Sequence, residues 1–166
     1  MTTLTRLAGA LVGLGSLAGC RPAPTATPFD PAARAAIADT VRAVSNAMIV
    51  AMRARQIDSV LAFYGKTTAY VGNGEIGDWG GILRGAPPRY ATYTKVECAW
   101  GEPFRVDVLS PTSAVVTAMF DCTKADTSGR TWRELVARTE VLAPEDGRWR
   151  IVAVHESIKP GTGELQ

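Results

Sequence analysis

The chain has 166 residues, 46% of them apolar and 20% charged, with 18 basic against 16 acidic side chains and one histidine. That apolar share is enough for a real hydrophobic core in a single domain. The near-balance of charge leaves no electrostatic reason to expect nucleic acid or an acidic substrate as a partner.

The chain opens with a short polar stretch carrying Arg6, followed by apolar and small residues from Leu7 to Gly19. The run is too short to cross a bilayer, which takes about 20 apolar residues. Charged start, apolar middle and small residues before a cut are the layout of a secretory leader over residues 1–19. Leu17-Ala18-Gly19-Cys20 resembles the bacterial lipobox at all four positions. The resemblance implies removal of the leader and lipidation of Cys20, hence a membrane anchor; the alternative is an ordinary secretory signal with an incidental cysteine. Loss of Arg6 would leave 17 basic groups (18 less one) against 16 acidic.

Residues 20–29 follow as a tether, because "RPAPTATPF" has three prolines and little that packs. It reaches at most about 30 Å. Arg21 stands where some inner-membrane-retained lipoproteins carry aspartate, so the resemblance favours the periplasmic side of the outer membrane. Residues 30–159 form the expected domain and 160–166 a flexible tail, with no internal repeat or charge run.

Asp30-Pro31 reads as a helix cap with proline in the first turn. Ile37, Val41, Val44, Met48 and Met52 then recur at three- and four-residue steps, one apolar stripe on a helix to about Arg55. Asp58 is placed to cap a short second helix, with Leu61 and Tyr64 facing inward. Six glycines between Gly72 and Gly85 leave room for only a brief helix, from Trp79 to Leu83.

From Tyr93 onward "YTKVECAW", "FRVDVLS", "SAVVTAMFDCTK", "TWRELVARTEVL" and "RWRIVAVHES" read as strands. Gly101-Glu102-Pro103, Ser110-Pro111, Ser128-Gly129 and Asp146-Gly147 separate them. Helices followed by a meander predict an α+β domain: a cone-shaped curved antiparallel sheet wrapped around the N-terminal helices.

The layout resembles the nuclear transport factor 2-like superfamily, whose fold is also described as cystatin-like, and especially its SnoaL-like branch. The matching pieces are "TVRAVSNAMIVAMRARQIDSVLAFY", "AYVGNGE", "GDWGGI" and "RTEVLAPEDGRWRIVAVHES". The resemblance implies the fold and leaves the function open, since the superfamily holds isomerases, cyclases, dehydratases, hydrolases and adaptors. Ketosteroid isomerase activity is not supported, because "YVGNGE" and "ELVARTEV" lack the aspartates that chemistry uses.

The only histidine, His155, lies in the last strand with Trp149, Ile151, Ala153 and Ser157 on one face. If Asp146-Gly147 is a two-residue turn, Glu145 pairs with Arg148 and Arg138 lies opposite His155, with Trp132, Val136 and Glu140 pointing the same way. A three-residue loop would move that set to the other face. His155, Arg138 and Glu140 are therefore the candidate catalytic residues, with a structural or solvated role as the alternative. Tyr64, Tyr70, Trp79, Trp100 and Trp132 are candidate ligand-pocket residues, or simply core. No metal signature, nucleophile motif or dinucleotide fingerprint stands out, so no metal and no cofactor are expected.

With Cys20 lipidated, Cys98 and Cys122 remain in an oxidising compartment. They lie almost symmetrically about the reversal at Ser110-Pro111, which predicts a disulfide; a buried reduced pair or redox-active thiols are the alternatives. The last strand is apolar on both faces, so a homodimer through the sheet face is expected. Two functions follow. One is an envelope-anchored module binding a small apolar molecule or a partner protein. The other is a small acid–base enzyme of isomerase, cyclase or hydrolase type using His155 with Arg138 or Glu140.

Overall fold

The computed structural model describes residues 29–72 and 74–159. The leader, Cys20, most of the tether and residues 160–166 lie outside the described residues. Helix α1 (Pro31–Arg53) starts at the Asp30-Pro31 pair, where the Asp30 carboxylate accepts from the amides of Ala32 and Ala33 at 3.3 Å. Val41 and Met48 are buried and Ile37, Val44 and Met52 pack around them, so the apolar stripe is the helix's core face. By length and composition α1 would also cross a bilayer; in the fold its stripe lies against the sheet.

Helix α2 (Ile57–Leu61) is capped at Gln56, whereas Asp58 falls within its first turn. The backbone decides this. Arg55 adopts a left-handed conformation (φ 57°), and the amides of Arg55 and Gln56 close the end of α1 onto Met52 and Ala51. The new helix therefore begins at Ile57, one residue before the aspartate.

Strands begin earlier than expected. β1 (Tyr64–Gly72) and β2 (Glu75–Gly77) form a hairpin ahead of α3 (Trp79–Ala91), and β3 (Tyr93–Ser110), β4 (Ser113–Asp126), β5 (Thr131–Glu145) and β6 (Arg148–Ile158) follow. The sheet order is β2-β1-β6-β5-β4-β3. β1 runs parallel to β6 while the other neighbours are antiparallel, so the curved sheet is mixed. Glu102-Pro103 does not end a strand; it sits in an irregularity between Gly101 and Arg105 inside β3.

Helix α3 is longer than its glycines suggest. Asp78 caps it by accepting from Gly81 N at 3.0 Å. The carbonyls that lose a partner to Pro87 and Pro88 belong to Leu83 and Arg84, which are solvent-exposed. The helix carries no buried residue.

Cys98 and Cys122 face each other across β3 and β4 and are joined by a disulfide, with Cα atoms 4.1 Å apart. The bond lies in a core cluster with Ile49, Tyr93, Phe120, Trp132 and Val136. A second cluster, around Val41, Met48, Val116, Leu142 and Ile151, fills the space between α1 and the concave face of the sheet.

Candidate functional site

Between α2, α3 and the concave face lies a cavity of about 210 Å³. α2 contributes Ile57, Val60 and Leu61; α3 contributes Trp79, Ile82, Ala86 and Tyr90, one stripe at helical spacing; the strands contribute Tyr64, Tyr70, Phe120, Val136 and Ile158. Most of the wall is apolar. Its polar groups gather at Arg138 and Glu156, and at Lys124 and Glu134.

Arg138 is the centre of the first group. Its Nε donates to Glu140 Oε1 at 2.6 Å, its Nη2 donates to Tyr64 Oη at 2.7 Å, and its Nη1 pairs with Glu156. Tyr70 Oη donates to the other Glu156 oxygen at 2.9 Å. Glu140 is fully buried behind the arginine, where the Ser45 hydroxyl of α1 reaches it at 3.5 Å. Burial works against the Arg138 charge, but Tyr64 and Glu140 hold it above the usual guanidinium range. Burial raises the Tyr70 phenol against the lowering pull of Arg138, so this residue stays a neutral donor.

In the second group Lys124 Nζ lies 2.6 Å from Glu134 Oε2, and the Trp132 indole N–H donates to the other oxygen at 2.9 Å. Burial disfavours the Glu134 charge, yet the Lys124 hydrogen bond and charge, with Trp132, hold its carboxyl below the usual range. Burial also pushes the Tyr90 phenol far above its usual range.

Asp146 and Gly147 both have positive φ, at 51° and 73°, and Glu145 pairs with Arg148, so the turn has two residues. Arg138, Val136 and Trp132 are buried on the concave side, as that turn requires. His155 is not opposite Arg138. Between Leu142↔Ile151 and Val141↔Ala153 the register shifts by one, leaving Val152 as an extra residue in β6. Beyond that bulge the faces exchange: Glu156 stands opposite Arg138, and His155 pairs with Thr139 on the other side, exposed. His155 therefore lies outside the cavity.

Tyr64, Tyr70, Trp79 and Arg138 line the cavity. Trp100 and Trp132 do not. Trp100 donates to Ser45 O at 3.3 Å and packs on Phe104 and Phe120, and Trp132 packs edge-on against Tyr93. The Trp79 ring lies 5.1 Å from Tyr64, and its buried Nε1 has no hydrogen-bond partner among the described residues. Lys124, Glu134 and Glu156 are site residues that the sequence reading does not select. Lys124 and Glu134 could have been found from the alternation that places Arg138 inward, because Glu134 shares its face and Lys124 lies on the neighbouring strand opposite Trp132.

The family model for the SnoaL-like domain matches residues 41–160. The chain belongs to the SnoaL-like family. Among solved structures it is similar to a candidate scytalone dehydratase from Novosphingobium aromaticivorans, at 9% identity and a TM-score of 0.71, covering 81% of this chain and 91% of that one. A hexachlorocyclohexane dehydrochlorinase, LinA type 2, aligns at 11% identity and a TM-score of 0.66, over 82% and 94% of the two chains. A ketosteroid isomerase-like protein from Erwinia carotovora atroseptica aligns at 16% identity and a TM-score of 0.59, over 73% and 95%. At these identities the likeness is one of fold. No curated protein sequence matches the chain.

Proposed function

We propose that this SnoaL-like domain is a lipid-anchored envelope module that binds a small, single-ring molecule bearing a hydroxyl group. The carrying observation is the pairing of an apolar cavity with one donor and one acceptor held side by side at its polar end. Tyr64 Oη accepts from Arg138 and, among the described residues, donates to none, so its proton is free for a ligand. Glu156, on the neighbouring nitrogen of the same guanidinium, retains acceptor capacity. A ligand hydroxyl accepts from the first and donates to the second. An apolar cavity of about 150 Å³ takes benzene, so about 210 Å³ suits one ring with a substituent.

Calorimetric titration with 4-ethylphenol and ethylbenzene tests the ligand reading. The phenol should bind about tenfold more tightly, the worth of one or two net hydrogen bonds. Equal affinities, or no binding of either at millimolar concentration, would reject it. The anchor rests on Leu17-Ala18-Gly19-Cys20. A clickable fatty acid should label the wild type and not Cys20→Ala; equal labelling of both returns the chain to simple secretion.

A second reading, acid–base chemistry on such a molecule, draws support from the dehydratase and dehydrochlorinase names among its structural neighbours. The Glu156 carboxylate, hydrogen-bonded to Tyr70 at the cavity wall, would then be the proton carrier. Solvent deuterium appearing in 4-hydroxyphenylacetone beyond the uncatalysed rate would favour the enzyme; no enhancement would favour the binding module.

A further inference from the structure

The inner cavity continues outward, beneath α3, into an open vestibule of about 720 Å³. Tyr70, Tyr90, Lys124, Glu134 and Glu156 line both spaces, so a molecule seated inside has a path to the surface along this wall. The charges along that path are arranged unevenly. At the inner end two carboxylates, Glu140 and Glu156, share the single Arg138 guanidinium, which leaves an excess of negative charge. In the vestibule Glu134 is neutralised by Lys124 and Asp78 by Arg84 at 3.4 Å, and Glu156, which lines its inner edge, is paired with Arg138. Arg89 also lines the vestibule. Its Nε donates to Tyr93 Oη at 2.9 Å, and it forms no ion pair among the described residues.

An anionic group is thus repelled from the inner end and attracted at the mouth by Arg89, an exposed cation whose pull is modest and screened by salt. We infer that the ligand of this cavity is a hydroxylated ring carrying a carboxylate tail, with the ring and hydroxyl inside and the tail at Arg89. The inference rests on the ring-binding reading of the inner cavity and adds to it the ligand's charge and direction. Arg89 sits in the last turn of α3, so its cation also suits the helix C-terminus. A helix-end role alone would leave ligand affinity unchanged.

The test compares 3-(4-hydroxyphenyl)propanoate with 4-ethylphenol by calorimetry, in wild-type protein and in Arg89→Gln, with circular dichroism checking the fold. The readout is the ratio of the two affinities. In wild-type protein at low salt the acid should bind about fivefold more tightly, the upper end of what a charge pair at an exposed site supplies. The ratio should fall below about twofold in Arg89→Gln, and likewise at high salt. A wild-type ratio near one, or a ratio that survives Arg89→Gln, would overturn the tail site and leave the ring-binding reading standing. Failure of both compounds to bind would remove the ring-binding reading and this inference with it.

Discussion

Glu156 stands directly opposite Arg138 on neighbouring strands and forms an ion pair with it, because Val152 is an extra residue in β6. One residue decides which side chain meets the buried cation. Without the bulge the partner would be His155, which instead lies exposed in a row with Thr139 and Thr117 on the convex face.

Removing Arg138 should be more damaging than removing the whole buried pair. Arg138→Leu leaves Glu140, 0% exposed, without its ion-pair partner, and the loss should be about 3–5 kcal/mol by urea denaturation. Adding Glu140→Leu should recover much of that loss, since no unpaired charge then remains at the back of the site. A double variant as unstable as the single one would contradict this account.

The disulfide should form in protein made in an oxidising compartment and should matter to stability. Bridging positions 24 residues apart, it constrains the unfolded chain by about 3 kcal/mol. Cys98→Ala/Cys122→Ala should lose about that much. Alkylation without reductant, followed by mass spectrometry, should leave both cysteines unlabelled; labelling at both would refute the bridge.

Acid should destabilise the domain partly through Glu134. Its folded pKa lies below the ordinary value of 4.5, so its contribution is fully present above that value and is lost as pH falls through the depressed one. The urea midpoint of the wild type should therefore drop as pH falls below the ordinary value of 4.5, and Glu134→Gln should flatten that limb. Asp121, Asp126 and Asp146 are also held low and should supply the slope that remains. An acid limb unchanged in Glu134→Gln would show that the Lys124 pair adds nothing.

The convex face carries directly paired Val115, Val141 and Ala153, with Met119 beside Ala137. The bulge modifies the basis for expecting a dimer: Ile151 turns into the core and Ala153 outward. An apolar convex face remains, and a second copy is the occupant proposed for it. Light scattering of residues 30–166 should give a dimer, and Val141→Glu should give a monomer. A wild-type monomer at high micromolar concentration would exclude this arrangement.

What the sequence determined by itself was mostly local. Asp30-Pro31 and the stripe from Ile37 to Met52 specify α1, because cap chemistry and helical spacing are written in consecutive residues. Asp146-Gly147 suits a two-residue turn, the condition under which the sequence groups Arg138 with Trp132, Val136 and Glu140, and the structure meets that condition with positive φ at both positions. The near-symmetry of Cys98 and Cys122 about one reversal likewise anticipates their pairing. The tertiary structure decided the rest. A strand that is apolar on both faces, like β6, reads the same with or without an extra residue, so the Val152 bulge leaves no mark in the pattern. One neighbour of β1 is β6, far along the chain, and this parallel pairing helps bring Tyr70 to Glu156 and Tyr64 to Arg138. The polar site is therefore a product of strand register, which depends on which strands meet and not on any one segment's own residues.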